Sequence, residues 1–66
     1  MEQVTEDNLR LGGRVVEDGD TDVGTIIECN DPHNVDIEFD SGAQGLYCLK
    51  TGCTEYEGSQ PTLYYV

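Results

Sequence analysis

Basic residues, tryptophan and long apolar runs are what this sequence has least of. Its 66 residues include 3 Lys and Arg against 14 Asp and Glu, which gives a formal net charge of -11. Binding a phosphate backbone requires a cluster of cations, and three basic residues cannot form one, so we expect no direct contact with DNA or RNA. An anionic membrane surface repels the same negative charge. No apolar run reaches the roughly 18 residues that suggest a transmembrane helix.

Residues suited to catalysis are also scarce. His33 is the only histidine, and no Ser or Cys lies in a motif that would place a nucleophile beside its ring. A domain of this size buries only about 60% of the surface that its unfolded chain exposes, which leaves little burial to raise a carboxyl pKa for acid–base work. We therefore expect a single domain with no enzymatic activity and no cofactor. Because residues 1–7 lack the basic and apolar regions of a secretory signal, we also expect a cytoplasmic protein.

Short runs of strand-forming residues occupy much of the chain. In the clearest of them, Val35–Asp40, apolar and acidic residues alternate without a fault. Period two turns its three apolar side chains toward a core and its three acidic side chains toward water. In Gln44–Leu49 the same alternation predicts Leu46 and Cys48 on the core side, with Tyr47 and Leu49 opposite. The other predicted strands are Arg14–Glu17, Val23–Asn30 and Leu63–Val66.

The first eleven residues carry a weaker signal. Thr5 is suited to cap a single helical turn over Glu6–Arg10, and an extended segment fits equally well. We therefore predict an N-terminal extension or helical turn at residues 1–11 and a β-barrel domain at residues 12–66. Five short strands separated by turn signals favour an all-β fold, and closing such a sheet into a small five-stranded barrel removes its exposed edges.

Three segments of the chain resemble the SH3-like barrel superfamily, which includes Tudor, KOW and mind-bomb-type domains. Leu11–Val16 contains G-x-R-V, Val23–Glu28 contains G-T-I, and Val35–Gly42 resembles the V-x-F-D-x-G hairpin of these families. The resemblance spans about residues 11–49 and implies the barrel fold. The tryptophans common in mind-bomb-type domains and the basic residues by which KOW domains contact RNA are absent, so neither ligand is implied.

The resemblance to Tudor domains also suggests a use for the tyrosines. Tudor-like barrels hold methylated cations in aromatic cages by cation–π contact. Tyr47 or Tyr56 would line such a groove here, with Asp40 as the nearby charge. The alternative is that the aromatic rings fill a small core that has few other large side chains.

Acidic residues are predicted to share one face of two adjacent strands. Outward side chains on neighbouring strands lie within about 5–8 Å, and like charges at that separation oppose folding. A basic partner would relieve this repulsion, whereas solubility or a high-salt habitat would explain the acidity without a partner. We predict an interaction module that binds a basic surface or segment of another protein, and the sequence does not give its oligomeric state. The candidate binding residues are Glu28, Asp36, Glu38, Asp40, Tyr47 and Tyr56.

Two other functions stay open. A virus-type DNA mimic would present carboxylates in place of phosphates to a nucleic-acid-binding enzyme, and the charge density suits that role. The second is a small zinc-stabilised domain. One Cys–His pair and one Cys–Cys pair together offer four ligands, although neither pair has the common C-x2-C spacing. Without zinc we expect three reduced thiols, since an odd count argues against a disulfide framework. The zinc set would be Cys29, His33, Cys48 and Cys53.

The loop after the first strand resembles the start of a calcium site. Asp18, Asp20 and Asp22 have the alternating spacing with which an EF-hand loop opens. That loop requires Gly at its sixth position and Glu at its twelfth, but here Gly24 is seventh and Cys29 twelfth. We therefore expect no specific calcium site.

Overall fold

In the part of the chain that the structure describes, five antiparallel strands form a single sheet. The computed structural model describes residues 1–50 and 62–66, and within them the strand order is β4-β3-β2-β1-β5 and no helix occurs. The all-β prediction is confirmed. β4 and β5 lie at opposite edges, so the sheet is not closed into the barrel that we expected. The strands are β1 (Arg14–Glu17), β2 (Gly24–Glu28), β3 (Val35–Phe39), β4 (Gln44–Tyr47) and β5 (Leu63–Tyr65).

The alternating pattern of β3 is confirmed by its burial. Val35, Ile37 and Phe39 are buried, while Glu38 is exposed and Asp36 is half-buried. β3 is flanked by β2 and β4, so its backbone is paired on both sides and its inner side chains reach the middle of the core. The core cluster consists of Val4, Val15, Ile26, Val35, Ile37, Phe39, Tyr47, Leu63 and Tyr65.

The N-terminal segment packs against the last strand. Val4 is 3% exposed and donates its backbone N–H to the Leu63 carbonyl at 2.8 Å. Of the two alternatives for residues 1–11, an extension or a helical turn after Thr5, the helical turn does not form. Instead Asn8 closes a turn, because its N–H reaches the Thr5 carbonyl at 3.3 Å and its side-chain Oδ1 accepts from the Thr5 N–H at 2.7 Å. This side-chain hydrogen bond offers the backbone an alternative to a helix.

The side chains of β4 face the opposite sides of the sheet from those predicted. Its register with β3 places Asp36 opposite Leu46 and Val35 opposite Tyr47. Leu46 is therefore 54% exposed and Tyr47 is buried, so the prediction of Leu46 on the core side was wrong. Cys48 is buried as predicted, but it follows the strand's last residue and does not continue the alternation. No bilayer-spanning helix, judged by length and apolar character, occurs in residues 1–50 or 62–66.

Candidate functional site

Acidic side chains from β2 and β3 meet on the outer face of the sheet. Asp36 is paired with Glu28 on one side and Leu46 on the other, and Glu38 lies opposite Thr25 and Gln44. Residues directly opposite each other in an antiparallel pair have Cβ atoms about 4.5–5.5 Å apart. Glu28, Asp36 and Glu38 therefore form one patch, which we call the acidic outer face.

Two exposed apolar residues adjoin the acidic outer face. Leu46 stands directly opposite Asp36, and Ile27 is 40% exposed at the irregularity in β2 between Ile26 and Glu28. Ile27 faces outward by the alternation of β2, and the irregularity then turns Glu28, which strict alternation would place inward, to the same side as Asp36. The face thus combines negative charge with apolar surface.

Asp40 is tied to Arg14 at the border of this face. Arg14 donates from Nη1 to Asp40 Oδ1 at 3.0 Å and from Nη2 to Oδ2 at 2.6 Å, and Nη1 also reaches Thr25 Oγ1 at 2.7 Å. The hydrogen bonds from Arg14, more than its charge, lower the pKa of Asp40. This bidentate pair neutralises Asp40, so its carboxylate adds no unpaired charge to the acidic outer face.

Replacing Arg14 by glutamine is expected to raise the pKa of Asp40 toward its usual range. In the folded protein that pKa is lowered, so the pair stabilises the fold above the pKa of the unfolded chain. This contribution disappears as the pH falls through the folded-state pKa, and R14Q should lack it. Carboxyl-carbon NMR titrations of both proteins measure the shift.

Asp31 is the control carboxylate for this titration. Its pKa is lowered first by the His33 N–H and then by the Asn34 side chain, and neither contact involves Arg14. The pKa of Asp31 should therefore be the same in both proteins. An Asp40 pKa that does not move in R14Q would contradict the role given to the guanidinium.

Each lysine and arginine of the chain contacts a group other than the carboxylates of the acidic outer face. Arg10 lies 3.9 Å from the centre of the Tyr65 ring and near Glu2, while Lys50 Nζ is 3.5 Å from Glu6 Oε2. Arg14, the third, binds Asp40. Among the described residues, none of the three carboxylates of the acidic outer face has a basic partner.

Tyr47 does not join the acidic outer face. Its ring points into the core at 6.5 Å from the Phe39 ring, and its hydroxyl donates to Glu17 Oε1. Burial is the main cause that raises the Tyr47 pKa, and the hydrogen bond to Glu17 and the charges of Glu17 and Asp20 add to it. Tyr47 is thus a neutral hydroxyl in a negative field. Tyr56, the other tyrosine proposed for binding, lies outside the described residues.

A cavity of about 220 Å³ opens on the Tyr47 side of the sheet. It lies between the β1–β2 loop and the β3–β4 hairpin, which are joined where Ser41 donates to Asp22 Oδ2 from Oγ at 2.6 Å. Sequence reasoning missed this site, although it noted the aspartates of the loop. The lining residues are Glu17, Asp20, Asp22, Phe39, Ala43, Gln44 and Tyr47.

The structure does not bring the proposed zinc ligands together as one set of free ligands. His33 Nδ1 lies 3.4 Å from Cys48 Sγ, but Cys48 is disulfide-bonded and Cys29 is a free thiol. The expectation of three reduced thiols was therefore wrong for Cys48, because an odd count still leaves room for one pair. Cys53 lies outside the described residues, and the described part of the chain holds no group of three His, Cys, Asp or Glu suited to a metal ion.

The arrangement as a whole is suited to binding positive charge. The acidic outer face and the cavity both present carboxylates, which accept charge-assisted hydrogen bonds and attract cations. Comparison of the chain with protein families, with curated proteins and with solved structures gave no match.

Proposed function

We propose that this protein is a non-catalytic interaction module that binds a basic segment of a protein partner. The observation that supports this most is the acidic outer face, in which Glu28, Asp36 and Glu38 occupy adjacent cross-strand rows. Their charges repel one another, and among the described residues no Lys or Arg forms an ion pair with any of them. A partner segment bearing Lys or Arg would remove this repulsion on binding and would be drawn in by long-range attraction.

The apolar residues beside these carboxylates indicate what else the partner should carry. Leu46 and Ile27 expose apolar surface next to Asp36 and Glu28. In protein–protein interfaces a few buried apolar anchors supply most of the affinity, while charges supply specificity and association rate. The segment should therefore combine basic residues with at least one apolar side chain.

We also infer kinship with the SH3-like barrels. The sequence resemblance over about residues 11–49 supports it, as does the course of the chain, in which β1 to β4 follow one another and β5 returns to pair with β1. A cytoplasmic location stays a prediction. A DNA mimic would also be acidic, but it would compete with DNA for a nucleic-acid-binding enzyme, whereas an interaction module would not.

Neutralising the acidic outer face is expected to weaken binding of a basic peptide. The probe is a fluorescent peptide of alternating Lys and Leu, and its affinity is measured by anisotropy at low and high salt. The double variant D36N/E38Q should bind roughly tenfold more weakly, because two of the closest charges are lost. Binding should also weaken as salt rises.

A matched variant separates this face from net charge alone. Asp7 and Asp18 are exposed and lie outside the acidic outer face, so D7N/D18N changes the net charge by the same amount. Its affinity for the peptide should stay within about twofold of the original protein. Equal weakening in the two double variants would show that binding is unspecific, and salt-independent binding would contradict the proposal.

A further inference from the structure

The cavity beside Tyr47 has walls from three separate segments. Glu17 ends β1, Asp20 and Asp22 belong to the following loop, and Phe39 and Tyr47 come from β3 and β4. Its volume of about 220 Å³ falls below the roughly 300–1,000 Å³ of pockets for drug-sized ligands. The space is therefore of a size for one side chain.

Two carboxylate oxygens at the cavity accept no hydrogen bond from residues 1–50 or 62–66. Among the described residues, only Tyr47 donates to the Glu17 carboxylate, and it does so at Oε1. Asp20 accepts the N–H groups of Thr21 and Asp22 at Oδ1, at 2.7 and 3.2 Å. Glu17 Oε2 and Asp20 Oδ2 receive no hydrogen bond from the described residues.

The positive charge for this cavity must come from outside the chain. All three Lys and Arg residues of the sequence are engaged elsewhere, with Glu2 and Tyr65, with Asp40 and with Glu6. Three carboxylates together with two aromatic rings define a site for an organic cation. A metal ion fits less well, because the described residues form no metal-ligating group.

We propose that this cavity binds the guanidinium of an arginine supplied by the basic partner segment. The inference rests on the proposed function and adds the residue that the partner uses as its anchor. Gln44 connects the two sites, because it lines the cavity and also lies opposite Glu38 of the acidic outer face. Because β4 is an edge strand, a segment that crosses this edge at Gln44 would contact both.

Hydrogen-bond chemistry selects arginine among the basic side chains. A guanidinium carries five N–H donors in a plane and stacks on aromatic rings, which suits the carboxylate oxygens that lie beside Phe39 and Tyr47. A primary ammonium is a compact, strongly hydrated charge, and a trimethylated ammonium has no donor at all. The chain already shows the favoured contact, since Arg10 lies over the ring of Tyr65 at 3.9 Å.

Titration with small amides tests the inference without a partner protein. The probes are N-acetyl-arginine methylamide, the corresponding lysine amide and its trimethylated form, each with one positive charge. Amide NMR spectra should show saturable shifts at Ala43, Gln44 and Tyr47 with the arginine amide. Its affinity should exceed those of the other two by roughly fivefold or more, because they offer fewer donors.

The variants E17Q and D20N test the carboxylates one at a time and together. Gln and Asn keep a carbonyl oxygen for the donors already present, so the loop should keep its place, and unchanged spectra for the core strands would verify this. The double variant should bind the arginine amide roughly tenfold more weakly. The variant D36N/E38Q should bind it as the original protein does.

The outcomes distinguish the two proposals. The inference is supported if the arginine amide binds at the cavity and D36N/E38Q binds it equally well. This holds whether or not the basic peptide binds. Peptide binding without arginine-amide binding would overturn the inference and leave the proposed function standing. Equal or tighter binding of the trimethylated amide, or undiminished binding by E17Q/D20N, would also overturn it.

Discussion

Truncating Ile37 to alanine is expected to lower the free energy of unfolding by about 2–5 kcal/mol. Ile37 is fully buried at the centre of β3, so the truncation removes apolar contacts and leaves a cavity that the packed neighbours cannot fill. Domains have on the order of 0.05–0.15 kcal/mol of stability per residue, which gives this chain roughly 3–10 kcal/mol in total. I37A should therefore lose most of its native population in mild urea.

The same substitution at Ile27 is the matched control. Ile27 is 40% exposed on β2, the neighbouring strand, so I27A deletes identical atoms from a position that keeps contact with water. We expect a loss of about 0.5–1 kcal/mol. Urea denaturation followed by far-UV circular dichroism measures both variants. Equal losses for the two would contradict the assignment of Ile37 to the core and Ile27 to the surface.

The burial of Ile37 was predictable because the alternating pattern that determines it lies within β3 itself. Six residues alternate between apolar and acidic, and both neighbouring strands accept that pattern. β4 is different, since Leu46 and Tyr47 are both apolar enough to face a core. The register with β3 decides between them, and register is a long-range property that a four-residue strand does not encode alone.

The two candidate sites differ in the same way, because one follows from a local pattern and the other from contacts between distant segments. The acidic outer face follows from the period of β3, and the sequence placed Asp36 and Glu38 on it. The cavity depends on contacts between distant segments, such as Asp22 with Ser41 and Glu17 with Tyr47. No spacing within the loop indicates those partners. Asp40 was predicted to belong to the acidic surface from its local pattern. A long-range contact overrides that pattern, because Asp40 pairs with Arg14, 26 residues away.

In the proposed interaction module, β3 would couple stability to binding. Its inner residues Ile37 and Phe39 hold the core, and its outer residues Asp36 and Glu38 form the acidic outer face. A loss of core packing therefore also displaces the carboxylates that a partner would contact. Binding data for any variant near β3 require a measured unfolding curve beside them.

Gly24 to alanine is expected to destabilise the fold by about 1–3 kcal/mol, although only one methyl group is added. Gly24 is buried in β2 between Val15 and Phe39, and an added Cβ would lie 2.6 Å from Ile37 Cγ2 and 2.9 Å from Phe39 Cδ1. Ile37, the nearer of the two, is fully buried, so its side chain cannot swing into solvent. Alanine also restricts the unfolded chain, which returns about 0.4–1 kcal/mol and does not offset the overlap.

The variant G45A separates this overlap from a general effect of replacing strand glycines. Gly45 lies in β4 at the edge of the sheet, and its added Cβ would meet the far end of the Tyr47 side chain, with the hydroxyl oxygen at 3.0 Å. That end borders the cavity and can shift by a few tenths of an ångström, so G45A should cost less than G24A. Thermal unfolding of both variants measures the order. If G24A melts at or above the melting temperature of G45A, close packing against Ile37 is not what excludes a larger residue at position 24. The core arrangement around β2 and β3 would then need revision.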